Sequence, residues 1–215
     1  MFTLQPIENM EHSKQKDVVK MNSSFYAMLS RMKHIERWAL MRNTITENLS
    51  EHSLEVSMIS HALCIIGNVR YNKNLDADKA AVIALYHDAS EIITGDMPTP
   101  IKYYNKSIKE AFKSLEDEAN EQLLSQLPED LRTAYRDIFF KTEDMSYEWK
   151  LVKAADKLSA LIKCIEEEKT GNREFVKARE ATEKSLSEMA ENVPEINDFI
   201  KEFIPSFSKT LDELS

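Results

Sequence analysis

Apolar residues recur at every third or fourth position in one segment of this chain after another. Nowhere does a run alternate apolar with polar over the length a half-buried strand needs. That single periodicity confines the chain to an all-α fold. It is interrupted rarely, by three Gly and six Pro among 215 residues. Phe25, Met28, Leu29 and Met32 share one face of a first short helix over 23–34. Asn48 and Glu51 form a capping box ahead of Leu54, Val56, Ile59, Leu63 and Ile66, with Ser50 as a competing cap, so a second helix starts close to His52. Another dense pattern runs from Lys79 to Ile93 and stops at Gly95, Pro98 and Pro100, a stiff exit.

The later chain continues in the same style. Ile108, Phe112, Leu115, Ala119 and Leu123 mark an amphipathic helix ending before Pro128, and a further helix occupies the 130s. Leu151, Ala155, Leu158, Ile162 and Ile165 give the strongest late stripe, with Gly171 and Asn172 as its terminus. A helical segment from Glu174 to Glu191 follows, and Phe199, Ile200, Phe203 and Ile204 form an apolar patch that suits either a subunit contact or the chain's own core. With no repeat, low-complexity tract or long linker, one all-helical domain over 22–207, its C-terminal helical extension included, is the expected organisation.

Charge and cysteine content narrow the class of function. The formal net charge of -9 disfavours a broad nucleic-acid face, which needs a concentrated positive field. No apolar stretch approaches the roughly 20 residues of a membrane span, and no basic-then-apolar leader opens the chain, so the cytoplasm is the expected compartment. Cys64 and Cys164 each sit in an apolar helical pattern without CxxC spacing and read as small hydrophobes.

Chemistry concentrates in YHDASEIITGD. On a regular helix His87 and Asp88 lie about 100 degrees apart, close enough to face one cation, with Glu91 one turn from His87. Imidazole with carboxylate suits zinc, manganese, iron or cobalt better than calcium. The pair alone serves equally as a surface or cap pair, and more ligands are required. His52 offers one, unless it is a core or capping histidine. Asp156 offers another, because an unpaired carboxylate beside an apolar stripe is costly, although an ion pair to a lysine answers the same need.

Together, His52, His87, Asp88 and Asp156 make the H…HD…D pattern that resembles the HD-domain metal-dependent phosphohydrolases. More closely, RWALMRNTITENLSEHSLEV at 37–56, ALYHDASEIITGDMPTP at 84–100 and LVKAADKLSALIKCIEE at 151–167 are similar to bacterial 5'-deoxynucleotidases of the YfbR type. The resemblance extends from Phe25 to the Pro205–Phe207 segment. It implies an all-helical homodimer that uses one divalent cation per subunit, cobalt, manganese, zinc or another transition metal, to hydrolyse deoxyribonucleoside 5'-monophosphates.

Carried onto this chain, the resemblance implies His52, His87, Asp88 and Asp156 as metal ligands and Glu91 as the catalytic carboxylate. Arg37 matches the arginine that orients the phosphate, and Trp38 the residue beside it that lines the nucleotide site. Asp96 and Thr99 match the loop that faces sugar and phosphate. The visible departures are conservative, Met97 in place of leucine among them. Two alternatives remain open at this level: an HD phosphohydrolase acting on a dNTP or signalling nucleotide, and a metal-stabilised helical interaction module without turnover. Both Glu91 and Arg37 are present, which ranks the enzyme first.

Overall fold

The computed structural model describes residues 22–102 and 104–214. Among them every regular element is helical, and the only β feature is an isolated antiparallel bridge between Glu36 and Asn48. Helix α1 (Phe25–Leu29) runs into a 3-10 turn (Ser30–His34); α2 (Leu49–Tyr71), α3 (Ala77–Tyr86), α4 (Glu91–Thr94), α5 (Thr99–Lys102) and α6 (Lys106–Ser125) follow. Then come α7 (Glu129–Phe139), α8 (Ser146–Lys169), α9 (Val176–Ala190) and α10 (Glu195–Glu202). None of the helices is long and apolar enough to cross a membrane, among the described residues.

Local chemistry sets the ends of the two longest helices. The Asn48 side chain accepts from the Ser50 and Glu51 amides while Glu51 returns a bond to the Asn48 amide, the capping box expected from sequence. Helix α8 stops at Lys169, and Gly171, two residues on, reverses the chain at low steric cost with a φ of +89°. Gly95, at φ +74°, plays the same part after α4 and swings the chain into the Asp96–Thr99 segment.

Two hydrophobic clusters hold these helices. The larger joins Val56, Leu63 and Cys64 of α2, Ile83 and Ala84 of α3, and Leu151, Leu158 and Ile162 of α8, and continues into Leu186, Ile196 and Phe199. Both cysteines are free and fully buried, as expected of small hydrophobes. The smaller cluster packs Phe25 against Leu123, Leu124, Leu127 and Phe139, and it includes Ala89. The His87–Asp88 turn therefore sits between Ala84 in one cluster and Ala89 in the other, fixed from both sides. Ile200, Ile204 and Phe207 pack on the larger cluster, so the C-terminal patch covers the chain's own core.

The structure corrects two local expectations. Helix α3 ends at Tyr86, and the chain passes through His87–Ser90 with i to i-3 bonds, Ala89 N to Tyr86 O at 3.0 Å and Glu91 N to Asp88 O at 3.0 Å. In such tight winding residues three apart eclipse, which lines Glu91 up with Asp88 rather than with His87. Leu54, placed in the buried stripe by its spacing, is 55% exposed. With Met58, Ile65 and Val69 it forms an apolar stripe on the outer side of α2, about opposite Val56 and Leu63 at 100 degrees per residue.

One buried carboxylate organises the loop from Ile35 to Asn48. Glu167 accepts from the Thr44 amide at 2.9 Å, the Ile45 amide at 3.2 Å and Asn172 Nδ2 at 2.8 Å, and it pairs with Lys163 Nζ at 2.5 Å. Burial opposes its charge, but Lys163, Asn172 and Thr44 outweigh burial and hold Glu167 down at about 2. Because the folded value lies below the ordinary 4.5, its stabilisation is complete above that value and disappears as pH falls toward about 2. Glu167→Ala removes the carboxylate paired with Lys163, which is 6% exposed and keeps its bond to the Ile45 carbonyl, and should cost about 3–5 kcal/mol. A denaturant midpoint at pH 7 checks this, and the gap between variant and wild type should narrow as pH is lowered from about 4.5 to about 2.

Candidate metal centre

Three elements deliver the ligating groups. His52, in the first turn of α2, is 1% exposed. His87 and Asp88 occupy the tight turn after α3, and Asp156 projects from the middle of α8. Ligand atoms of His52, His87 and Asp88 all lie within 4.8 Å of one another. Asp88 Oδ2 stands 3.1 Å from His87 Nε2 and 3.5 Å from His52 Nε2, while Asp156 Oδ1 approaches His52 Nε2 at 3.3 Å.

Both rings are oriented from behind. His87 Nδ1 donates to the Ala84 carbonyl at 2.7 Å, and His52 Nδ1 lies 3.1 Å from Ser159 Oγ and 3.2 Å from Glu47 Oε1. Protons on the Nδ1 atoms leave the Nε2 lone pairs directed at the cluster. Neither buried Nε2 has a hydrogen bond of acceptable geometry. Two desolvated imidazole nitrogens without hydrogen-bond partners, sharing one carboxylate oxygen, are a donor set fitted to a divalent transition-metal ion. The described residues thus include a metal-binding site at His52, His87 and Asp88.

Burial opposes ionisation of Asp88, yet His87 and His52 hold it well below the usual carboxylate range. Asp156 is likewise lowered, Lys157 and His52 outweighing burial. Burial and Arg37 disfavour a proton on His52, but the Asp156, Asp88 and Glu47 carboxylates prevail and raise it to about 10. Glu91 is 5% exposed with Oε2 unpartnered; burial, then Asp88 and Asp96, push it up to about 9.

Arg37 lies against the same carboxylates. Its Nη1 donates to Asp88 Oδ2 at 3.4 Å, its Nη2 stands 3.9 Å from Asp156 Oδ1, and its Nε stands 3.2 Å from Glu47 Oε1. Burial opposes its charge, and Asp88, Asp156, Glu47 and Asp96 together raise its pKa. Trp38 follows in the left-handed region at φ +58°, an uncommon conformation for a bulky residue. Its ring packs on Phe175 at 5.3 Å, and its Nε1 donates to Glu47 Oε2 at 3.1 Å. The loop carrying both is closed by the amide of Arg37 on the Glu47 carbonyl and the amide of Leu49 on the Ile35 carbonyl, each at 2.9 Å.

A cleft of about 860 Å³ opens beside the cluster. Arg37, Trp38, Asp96, Thr99 and Asp156 line it, with Ala178, Ala181 and Thr182 of α9 on another side. Asp96 is held by a Trp38 backbone bond and raised by burial despite Arg37. Every residue singled out from sequence therefore lies in or against one site, with Thr99 placed at its rim by the start of α5. Glu47 and Ser159 were not singled out. Ser159 had a faint signal, a hydroxyl three residues after Asp156 inside an apolar stripe, whereas Glu47 sits in a polar loop run that gives none.

Comparison with known proteins adds independent findings. The family described as 5'-deoxynucleotidase YfbR-like matches residues 24–207. A 5'-deoxynucleotidase of Erwinia tasmaniensis is 47% identical over 194 residues, covering 90% of this chain and 97% of that protein. One from Yersinia pestis is 48% identical over 193 residues with the same coverage, 90% and 97%. Among solved structures, an HD-domain phosphohydrolase of Listeria innocua aligns with a TM-score of 0.75 at 23% identity, over 86% of this chain and 88% of that one. A cyanophage S-2L HD phosphohydrolase bound to dA and one catalytic Zn2+ ion aligns with a TM-score of 0.58 at 19% identity, over 86% of this chain and 96% of that one. At these identities the two structures share the fold.

The protonation of His52 generates a prediction about the metal. Since its pKa is raised to about 10, His52 carries a proton at pH 7 that an incoming cation must displace. Binding of Co2+ or Mn2+ to metal-free protein should release a proton, and the apparent affinity should fall about tenfold for each pH unit lowered in that range. Calorimetry in buffers of different ionisation enthalpy reads the proton directly; binding heats independent of the buffer would contradict it.

Proposed function

This chain belongs to the family of YfbR-like 5'-deoxynucleotidases, and from that premise we propose that it hydrolyses deoxyribonucleoside 5'-monophosphates to deoxynucleosides and inorganic phosphate. It is a metal-dependent nucleotide phosphohydrolase of the HD type. The observation that carries the substrate reading is geometric: Arg37 and Asp156, which contact the metal cluster, also line the cleft. A nucleotide can therefore lie in the cleft with its phosphate at the cluster.

Under this reading His52, His87, Asp88 and Asp156 hold one divalent cation, a transition metal such as cobalt, manganese or zinc. When bound, that ion supplies Lewis-acid charge to a phosphoryl oxygen and lowers the pKa of the attacking water. Arg37 presents a planar fork that binds two non-bridging phosphate oxygens, a geometry a lysine cannot supply. Glu91 stands against Asp88, whose charge adds to burial in raising its pKa. As a carboxylate it would accept a proton from the attacking water as the new P–O bond forms, and it would return that proton to the 5'-oxygen as the bond between phosphorus and that oxygen breaks. Trp38, Asp96 and Thr99 face the nucleoside, with the Asp96 carboxylate placed to accept from a sugar hydroxyl.

The catalytic unit is assigned to residues 22–207. A nucleotide substrate and two buried, unpaired cysteines fit the cytoplasm. A homodimer is supported by α2, which is apolar on both sides. Leu54, Met58, Ile65 and Val69 are 55%, 59%, 42% and 77% exposed along one line of that helix, where a monomer leaves them in water. A second copy of the chain is the occupant proposed for that face.

Phosphate release from a panel of deoxy- and ribonucleoside mono- and triphosphates, with metal-free protein restored by single metals, tests the reaction. Deoxynucleoside monophosphates should release phosphate, Glu91→Ala should lose about 100-fold or more in kcat, and Arg37→Ala should lose phosphate placement more than folding stability. Release of triphosphate would redirect the assignment to a different HD chemistry. For assembly, Met58→Asp with Ile65→Asp should convert a dimer to a monomer by light scattering; an unchanged mass would remove the α2 face as the interface.

A further inference from the structure

Glu47 touches the metal side of the site at His52 and the loop side at Arg37 and Trp38. Its carboxylate is 16% exposed and lies at the end of the loop, next to the Asn48 cap of α2. Oε1 stands 3.2 Å from His52 Nδ1 and 3.2 Å from Arg37 Nε, and Oε2 accepts from Trp38 Nε1 at 3.1 Å. Its own carbonyl accepts from the Arg37 amide at 2.9 Å, which ties the backbone of the loop to the same residue. All three side-chain partners are nitrogen donors, so only a group with two acceptor oxygens answers them together.

We propose that Glu47 is a positioning residue that couples the metal cluster to the phosphate-orienting loop. Toward the metal, it works with Ser159 to keep a proton on His52 Nδ1, which leaves Nε2 as the ligand atom. Toward the substrate, it pairs by charge with Arg37 at Nε, a contact at 3.2 Å that is not aligned as a hydrogen bond. That pairing leaves Nη1 and Nη2, now set toward Asp88 and Asp156, for the place where a phosphate would meet those ligands. The bond to Trp38 Nε1 fixes the indole against Phe175 and helps to sustain its left-handed backbone. Movement of the loop thereby bears on the orientation of His52, which Ser159 also holds. This inference deepens the proposed function of the same site and rests on it for the phosphate-binding part of Arg37.

Glu47→Gln is the informative variant, because an amide offers one acceptor and one donor. In either orientation its NH2 group confronts a donor, Trp38 on one side or Arg37 and His52 on the other. Three readouts apply to the folded protein, with Glu47→Ala in parallel and circular dichroism confirming the fold. Affinity for Co2+ by chelator competition should fall about tenfold or more. Affinity of the cobalt-loaded protein for inorganic phosphate should fall as well, and the indole emission of Trp38, isolated in a Trp149→Phe background, should shift. Unchanged metal affinity in both variants overturns the proposal, and so does weaker metal binding with phosphate affinity and indole emission intact. If the unmodified protein hydrolysed no deoxynucleoside monophosphate, the substrate reading would fall, yet the metal and indole measurements would still decide the role of Glu47.

Discussion

Acidic groups crowd one end of this molecule, and the rest of the structure arranges the positive charge that makes their burial tolerable. Glu47, Asp88 and Asp156 converge on two imidazoles and a guanidinium, with Glu91 and Asp96 close enough to feel Asp88. Carboxylates in a poorly solvated place repel each other and lose hydration, costs that only cations or protons offset. Here the offset is divided. Arg37 is permanently charged, His52 is drawn into protonation, and Glu91 is pushed toward its neutral form. A divalent ion bound at His52, His87 and Asp88 would meet the same demand with one concentrated charge.

Holding such a site requires rigid supports, and the two hydrophobic clusters supply them. Ala84 and Ala89 bracket the His87–Asp88 turn, one in each cluster, so the turn cannot relax into a regular helix without disturbing both. The tight turn also leaves the Ala84 carbonyl available to His87 Nδ1, which fixes the ring. The substrate side is less regular. Its loop from Ile35 to Asn48 has no helix of its own beyond the preceding 3-10 turn and depends on polar bonds to Glu167, Asn172 and Glu47. Cluster residues held by packed helices and the turn between them thus face a loop pinned by polar bonds.

Much of this was legible before any coordinates. The capping box at Asn48 and Glu51, the Gly171 terminus of α8 and the buried cysteines follow from local chemistry, which does not depend on distant partners. Spacing reads His87–Ser90 as continuous helix, because apolar periodicity persists through a tight turn of only four residues. Leu54 was misplaced because α2 carries apolar residues on two opposite sides, and spacing alone does not say which stripe meets the core. Glu47 had no signal at all, since an acidic residue in a polar loop looks alike whether it faces water or three nitrogen donors.

The all-helical class is readable from the apolar period alone, and the H…HD…D pattern of His52, His87, Asp88 and Asp156 with Arg37 names the candidate groups, because residue identity and spacing are properties of the chain itself. Tertiary structure alone decided that these groups meet. His52 and Asp156 are more than a hundred positions apart and come together only because α2 and α8 pack through one core. It likewise sets which ring nitrogens face the cluster, that Arg37 and Asp156 share a cleft, and that the Glu47 carboxylate lies against His52, Arg37 and Trp38. Periodicity and composition are local properties of a chain, whereas distances, desolvation and the charges they shift belong to the packed whole.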